Sequence, residues 1–220
     1  MSIPDTTDRR SFFSRLAAGL GLGGAALVPG MAGAQGRPPY TPARHKEDDW
    51  LDTLGTKHRF VFDTTTTPAF SDALRFANNF LIANQTGYGL KDSDSGVVVV
   101  ARHFSTVYAF SDAMWAKYGA TLHAFGNPGA ATAAPTANPF GNGNAVDVTV
   151  GTLVGRGAHF AVCGMATTFI STLVARAVNG DATTIRAELA ANLVPNAHMA
   201  AAGILAVNRA QERGYTLATA

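Results

Sequence analysis

Gly96-Val97-Val98-Val99-Val100-Ala101 constrains this chain more than any other stretch. Four consecutive valines show none of the apolar–polar alternation of a strand with one wet face. Their β-branched side chains favour extended backbone over helix. The run predicts a strand buried on both faces, as at the centre of a parallel sheet. A fold for this chain must therefore supply a covering layer on each side.

The remaining sequence supplies material for those layers. His58–Asp63 (HRFVFD) reads as a first strand, rich in aromatic and β-branched residues. Ala69–Ala83 places apolar residues at helical spacing, with Pro68 suited to a first turn. After the valine strand, Phe104–Tyr118 returns to helical spacing, with Ser105 as a cap and Trp115 and Tyr118 as packing residues. Gly119–Ala145 is dominated by Gly, Ala, Pro, Asn and Thr and reads as a long loop. A short helix is expected over Asp147–Arg156 and a third strand over Ala158–Cys163. Helices follow over Met165–Val178, Asp181–Asn192 (Asp181 as N-cap) and Gly203–Arg213, the last closed by Gly214. Short strands are expected at Ala197–Ala201 and Tyr215–Ala218. This alternation predicts an α/β fold, a three-layer sandwich with a mainly parallel sheet and right-handed crossovers.

The chain is 220 residues long and 47% hydrophobic, enough for a substantial core. Its net charge of +2 and the lack of a Lys/Arg stripe argue against nucleic acid as a partner. The first 34 residues read as a twin-arginine export signal. They carry Arg9-Arg10, an apolar stretch from Leu16 to Val28, and the small-x-small pattern Ala32-Gly33-Ala34 before Gln35. A periplasmic location follows from that reading, with no stable membrane insertion once the signal is removed. Residues 35–56 read as a Pro-rich, then charged, arm that Trp50-Leu51 can pin to the domain, and 57–220 as a single α/β domain.

Cys163 is the single cysteine. It ends the apolar run Phe160-Ala161-Val162-Cys163 and precedes Gly164, between a predicted strand and a predicted helix. A helix N-terminus there favours a thiolate, the reactive form for sulfur transfer or disulfide exchange. A free cysteine is also among the commonest buried fillers, and position alone leaves both roles open. Without a second cysteine, a disulfide requires another chain or a small thiol. In a parallel sheet Asp63, Arg102 and His103 end strands on the same edge as Cys163. Arg102 can hold an anionic sulfur species or stand as an ordinary solvated charge, and His103 can move a proton or serve as a surface or helix-capping residue. Asp63 reads as a helix cap, with the orienting of a base as its other open role. His159 and Cys163 are four residues apart, too far along one strand face to share an ion, and no metal or cofactor site is expected.

Several segments together resemble the DsrE/DsrF-like family of sulfur-relay proteins, which includes TusD-type carriers. They are HRFVFD, GVVVVARH, Asn138-Pro139-Phe140, the strand end FAVCG and the tail LVPNAHMAAAGILAVNRAQERGY. The resemblance runs from about His58 to the end of the sequence. It implies an α/β fold, homo- or hetero-oligomers, and a persulfide on Cys163 passed to a thiol-bearing partner or small sulfur compound. Where relatives often carry a basic residue soon after the cysteine, this chain has the uncharged Met165-Ala166-Thr167-Thr168-Phe169. The apolar helix face over Phe169 to Val178 is a candidate contact face for an oligomer. The alternative expectation is a non-catalytic binding or assembly module with Cys163 as packing.

Overall fold

Within the residues described by the computed structural model, 40–142 and 147–220, the valine run is β2 (Ser95–Ala101), and all seven of its residues are buried. Around it stand β1 (His58–Thr64), β3 (His159–Cys163), β4 (Ala197–Ala200) and β5 (Thr216–Thr219). They form one sheet in the order β4-β3-β2-β1-β5, with every neighbouring pair parallel. The predicted export signal and residues 35–39 of the arm lie outside the described residues. Among those described, no helix is long and apolar enough to cross a membrane.

Helix α1 (Thr67–Tyr88) joins β1 to β2. Thr66 caps it, accepting a hydrogen bond from the Ala69 N–H at 3.3 Å. Between β2 and β3 come α2 (Asp112–Gly126) and α3 (Val150–Gly155). Between β3 and β4 come α4 (Gly164–Val178) and α5 (Ala182–Ala191), and α6 (Gly203–Gln211) joins β4 to β5. The β2 side chains divide between two cores. Val97 and Val99 pack with Phe62, Phe160 and Val162 under residues of α1 to α5. Val98 and Val100 pack with Val61 and Ala161 under Ala206, Val207 and Ala210 of α6 and Leu51 of the arm. The three-layer α/β sandwich expected from the valine run is the observed architecture.

Strand order has a consequence for the upper edge. The chain steps from β1 through β4 in one direction, then returns so that β5 pairs with the other edge of β1. Right-handed crossovers in opposite directions place their helices on opposite faces. So α4 leaves β3 toward one face, while α6, which follows the neighbouring β4, lies on the other. A crevice opens where such helices diverge, outside the carboxyl ends of the strands. Cys163 ends β3 at that divergence.

Two expectations need correction. The helix predicted over 104–118 is a 3-10 segment, His103–Ala109, followed by α2 from Asp112. The break is held from outside: Phe110 bridges Leu193, and the Ser111 N–H donates to the Asn192 carbonyl at 2.9 Å. The predicted loop at 119–145 begins instead as the second half of α2, which runs to Gly126. Gly119 serves that helix by lacking a side chain, since a Cβ there would fall 2.5 Å from the Pro135 carbonyl oxygen. The Asn138 amide ties the following segment down, donating to the carbonyls of Tyr108 (2.8 Å) and Phe110 (2.9 Å). In the arm, Lys46–Asp52 forms a 3-10 helix whose Leu51 is buried. The Tyr215 hydroxyl donates to the Leu51 carbonyl at 2.7 Å, and burial pushes its pKa up to about 12.

Candidate thiol site

Strand register gathers the predicted site residues. Ala101 pairs with Val162, and Cys163 with Ala200, so Arg102 and Cys163 leave adjacent strands at the same level. Cys163 is the N-cap of α4, and its Sγ accepts the Ala166 N–H at 3.4 Å. The Thr167 hydroxyl donates to the Cys163 carbonyl at 2.9 Å and fixes the turn. Only 8% of the residue is exposed, and that part faces a cavity.

Asp63 is a counter-ion and not a cap. It is buried, and Arg102 donates to it through Nε and Nη2, each at 2.7 Å. These bonds, and the carboxylate charge behind them, raise the Arg102 pKa above its usual value against the opposing effect of burial. Arg102, expected to hold an anion, thus spends one edge of its guanidinium on a buried carboxylate. Ser105, expected as a helix cap, is buried in the turn that carries Arg102. Its Oγ lies 3.0 Å from the Arg102 N–H, 2.8 Å from the Arg102 carbonyl and 3.0 Å from the Thr64 carbonyl. His103 is exposed with φ at +56°, a left-handed conformation uncommon outside glycine. Its ring lies against Phe104, with centroids 3.9 Å apart.

The cavity has a volume of about 460 Å³. Arg102, His103 and Cys163 lie at its polar side, and Phe104, Phe125, Met165, Phe169 and Ile204 form the apolar wall. Met165 and Phe169 come from the first turns of α4, and Ile204 from the first turn of α6. Gly203 lets α6 approach: a Cβ there would fall 2.4 Å from the Arg102 Cβ and 3.2 Å from the Cys163 Cβ. Sequence reasoning missed this wall. The available signal was Met165 and Phe169 four residues apart after the cysteine, on one side of a helix. Trp115 and Tyr118 are buried away from the cavity; the Trp115 indole donates to the Val107 carbonyl and the Tyr118 hydroxyl to Glu188.

His159 has a partner that its sequence spacing did not reveal. Its Nδ1 lies 2.8 Å from the Nε2 of His198 on β4. The rings are within 7° of parallel with centroids 5.1 Å apart, which places them edge to edge in nearly one plane. One ring donates and the other accepts, so the facing nitrogens are already used. Trp50 stacks on His198, with centroids 4.0 Å apart. Among the described residues no group of three or more His, Cys, Asp or Glu side chains is placed to hold a metal ion.

No family model matches the chain, and no curated protein matches it. Among solved structures, it is similar to a protein of unknown function, MTH1491 from Methanobacterium thermoautotrophicum. The identity is 14%, covering 74% of this chain and 99% of that one, with a TM-score of 0.41. The strands and site described above define an α/β protein with a thiol cavity at the carboxyl edge of its parallel sheet.

Proposed function

We propose that the protein is an exported sulfur carrier of the DsrE/DsrF-like kind, holding sulfane sulfur as a persulfide on Cys163. The observation that carries the reading is the placement of the chain's single thiol. It caps a helix at the divergence of α4 and α6 and faces a cavity large enough for a donor or an acceptor side chain. In loading, the Cys163 thiolate attacks the outer sulfur of a sulfane donor. The donor's S–S bond breaks, its inner part leaves with the electron pair, and Cys163 gains one sulfur atom. In unloading, an acceptor thiolate attacks that terminal sulfur and the Cys163 thiolate leaves. Neither step requires an outside oxidant or reductant. His103, exposed at the cavity, can exchange protons with the entering and leaving thiols.

Export to the periplasm belongs to the same proposal, carried by Arg9-Arg10 and the apolar stretch after them. A thiol-bearing acceptor and assembly into oligomers also belong to it. Met165, Phe169 and Ile204, at 70%, 56% and 60% exposure beside the thiol, supply apolar contact area for such a partner.

The test is intact mass of the reduced protein after exposure to polysulfide, beside Cys163→Ser. Gain of one or more sulfur atoms by the wild type alone, reversed by a thiol reductant, is the expected result. A second reading, a binding module with Cys163 as packing, is favoured by the 8% exposure of that residue. It prevails if the folded thiol resists both polysulfide and alkylation.

A further inference from the structure

We infer that the cavity beside Cys163 takes an apolar organic persulfide, R–S–S–H with an aromatic body, in preference to a small inorganic anion such as thiosulfate. The inference rests on the sulfur-carrier reading and names its donor.

Three observations carry it. The first is size. At about 460 Å³ the cavity falls within the range of small-molecule sites, and an inorganic donor would leave most of it empty. The second is charge. Arg102 is the cation of the lining, and the buried Asp63 neutralises it through two 2.7 Å hydrogen bonds. A doubly charged anion would have to give up its hydration for an ion pair that is already matched. The third is the wall. Phe104 and Phe125 meet at 62° with centroids 5.5 Å apart, and Phe125 and Phe169 at 52° with centroids 6.0 Å apart. That run of tilted rings offers edges and faces to a further aromatic ring. Met165 and Ile204 face it from the first turns of α4 and α6 and stay largely exposed until something covers them.

With the body R against this wall, the outer sulfur can lie toward Cys163. The thiolate attacks that sulfur, the donor S–S bond breaks, and R–S⁻ leaves with the electron pair. Cys163 becomes Cys163–S–S–H, and the released R–S⁻ takes a proton from water. The step involves no net oxidation.

Two measurements test the donor class apart from the carrier chemistry. Ligand-detected NMR follows phenylmethanethiol binding to Cys163→Ser, with and without Phe169→Ser. Because Phe169 is exposed, its replacement leaves the fold intact, and a melting curve checks this. Intact mass then follows sulfur loading of the wild type by benzyl persulfide and by thiosulfate at equal concentration. We expect saturable binding, weakened about tenfold by Phe169→Ser, and loading from benzyl persulfide at least about tenfold faster than from thiosulfate. Phe169→Ser should slow loading from the benzyl donor by a larger factor than loading from thiosulfate. Equal or faster loading from thiosulfate, with no saturable binding, overturns the inference and leaves the carrier reading standing. Saturable binding with no loading from either donor overturns the carrier reading, and the donor assignment with it.

Discussion

His159 and Cys163 lie on one face of β3, at opposite ends, and the molecule treats the two ends differently. At the lower end, His159 is hydrogen-bonded to His198, and Trp50 stacks over the pair. At the upper end, Cys163 has one hydrogen-bond donor, the Ala166 N–H, and a cavity of about 460 Å³. The lower end has committed the facing nitrogens of its two rings to each other, and the upper end leaves its sulfur facing a cavity. Topology makes the difference. The helices after β3 and β4 separate at the carboxyl edge, whereas at the other end of this face the arm lays Trp50 over the histidine pair.

The strongest way to break the contrast is to close the open end. Gly203→Val would place atoms where even a Cβ lies 2.4 Å from the Arg102 Cβ. A loss of about 3 kcal/mol is expected, with α6 pushed from the edge, read by urea unfolding. Next is Asp63→Asn, which leaves the Arg102 guanidinium partly buried without its counter-ion. The expected cost is about 2 kcal/mol, and native-state hydrogen exchange should rise first in the 102–105 turn.

Acid sharpens the contrast from the other side. Burial lowers the pKa of both His159 and His198 below the ordinary 6.5, and charge on His159 lowers that of His198 further. A histidine with a lowered folded pKa takes up a proton more readily when unfolded. The pair's contribution is therefore complete above about pH 6.5 and falls as the solution is acidified below it. A loss of roughly 1 kcal/mol between pH 7.5 and 5.5 is expected after solvent screening, and His198→Phe should flatten that slope. The smallest effect belongs to Met165→Ala. At 70% exposure it should change stability by less than about 0.5 kcal/mol, while Trp50→Ala costs about 1 kcal/mol through its lost stacking.

The sequence made the layers legible because the valine run needs no tertiary information to be read as doubly buried. Cys163 and Arg102 were legible as strand-end residues for the same reason. What escaped depended on strand order. His159 and His198 are 39 residues apart and meet only because β3 and β4 are neighbours. The threonine loop after Asp63 was legible as a helix cap, and Thr66 fills that role, while Asp63 is a counter-ion instead. The ion pair with Arg102 needed β1 beside β2. The apolar wall needed the first turns of α4 and α6 to face each other across the carboxyl edge, which local periodicity does not encode.

One further consequence follows from the pairing of β5 with β1, which joins Phe60 to Thr216. β1 is the earliest strand of the sheet to be synthesised, yet one of its edges waits for nearly the whole chain before it finds a partner. Contacts of such separation slow folding, because the loop must close before the bonds repay it. Until then β1 presents an unpaired hydrogen-bonding edge on which another chain can dock out of turn. A nascent chain halted before Thr216 would have its valine strand in place and this edge of β1 still open, and the arrival of Thr216–Thr219 passes the edge position from a seven-residue strand to one of four residues.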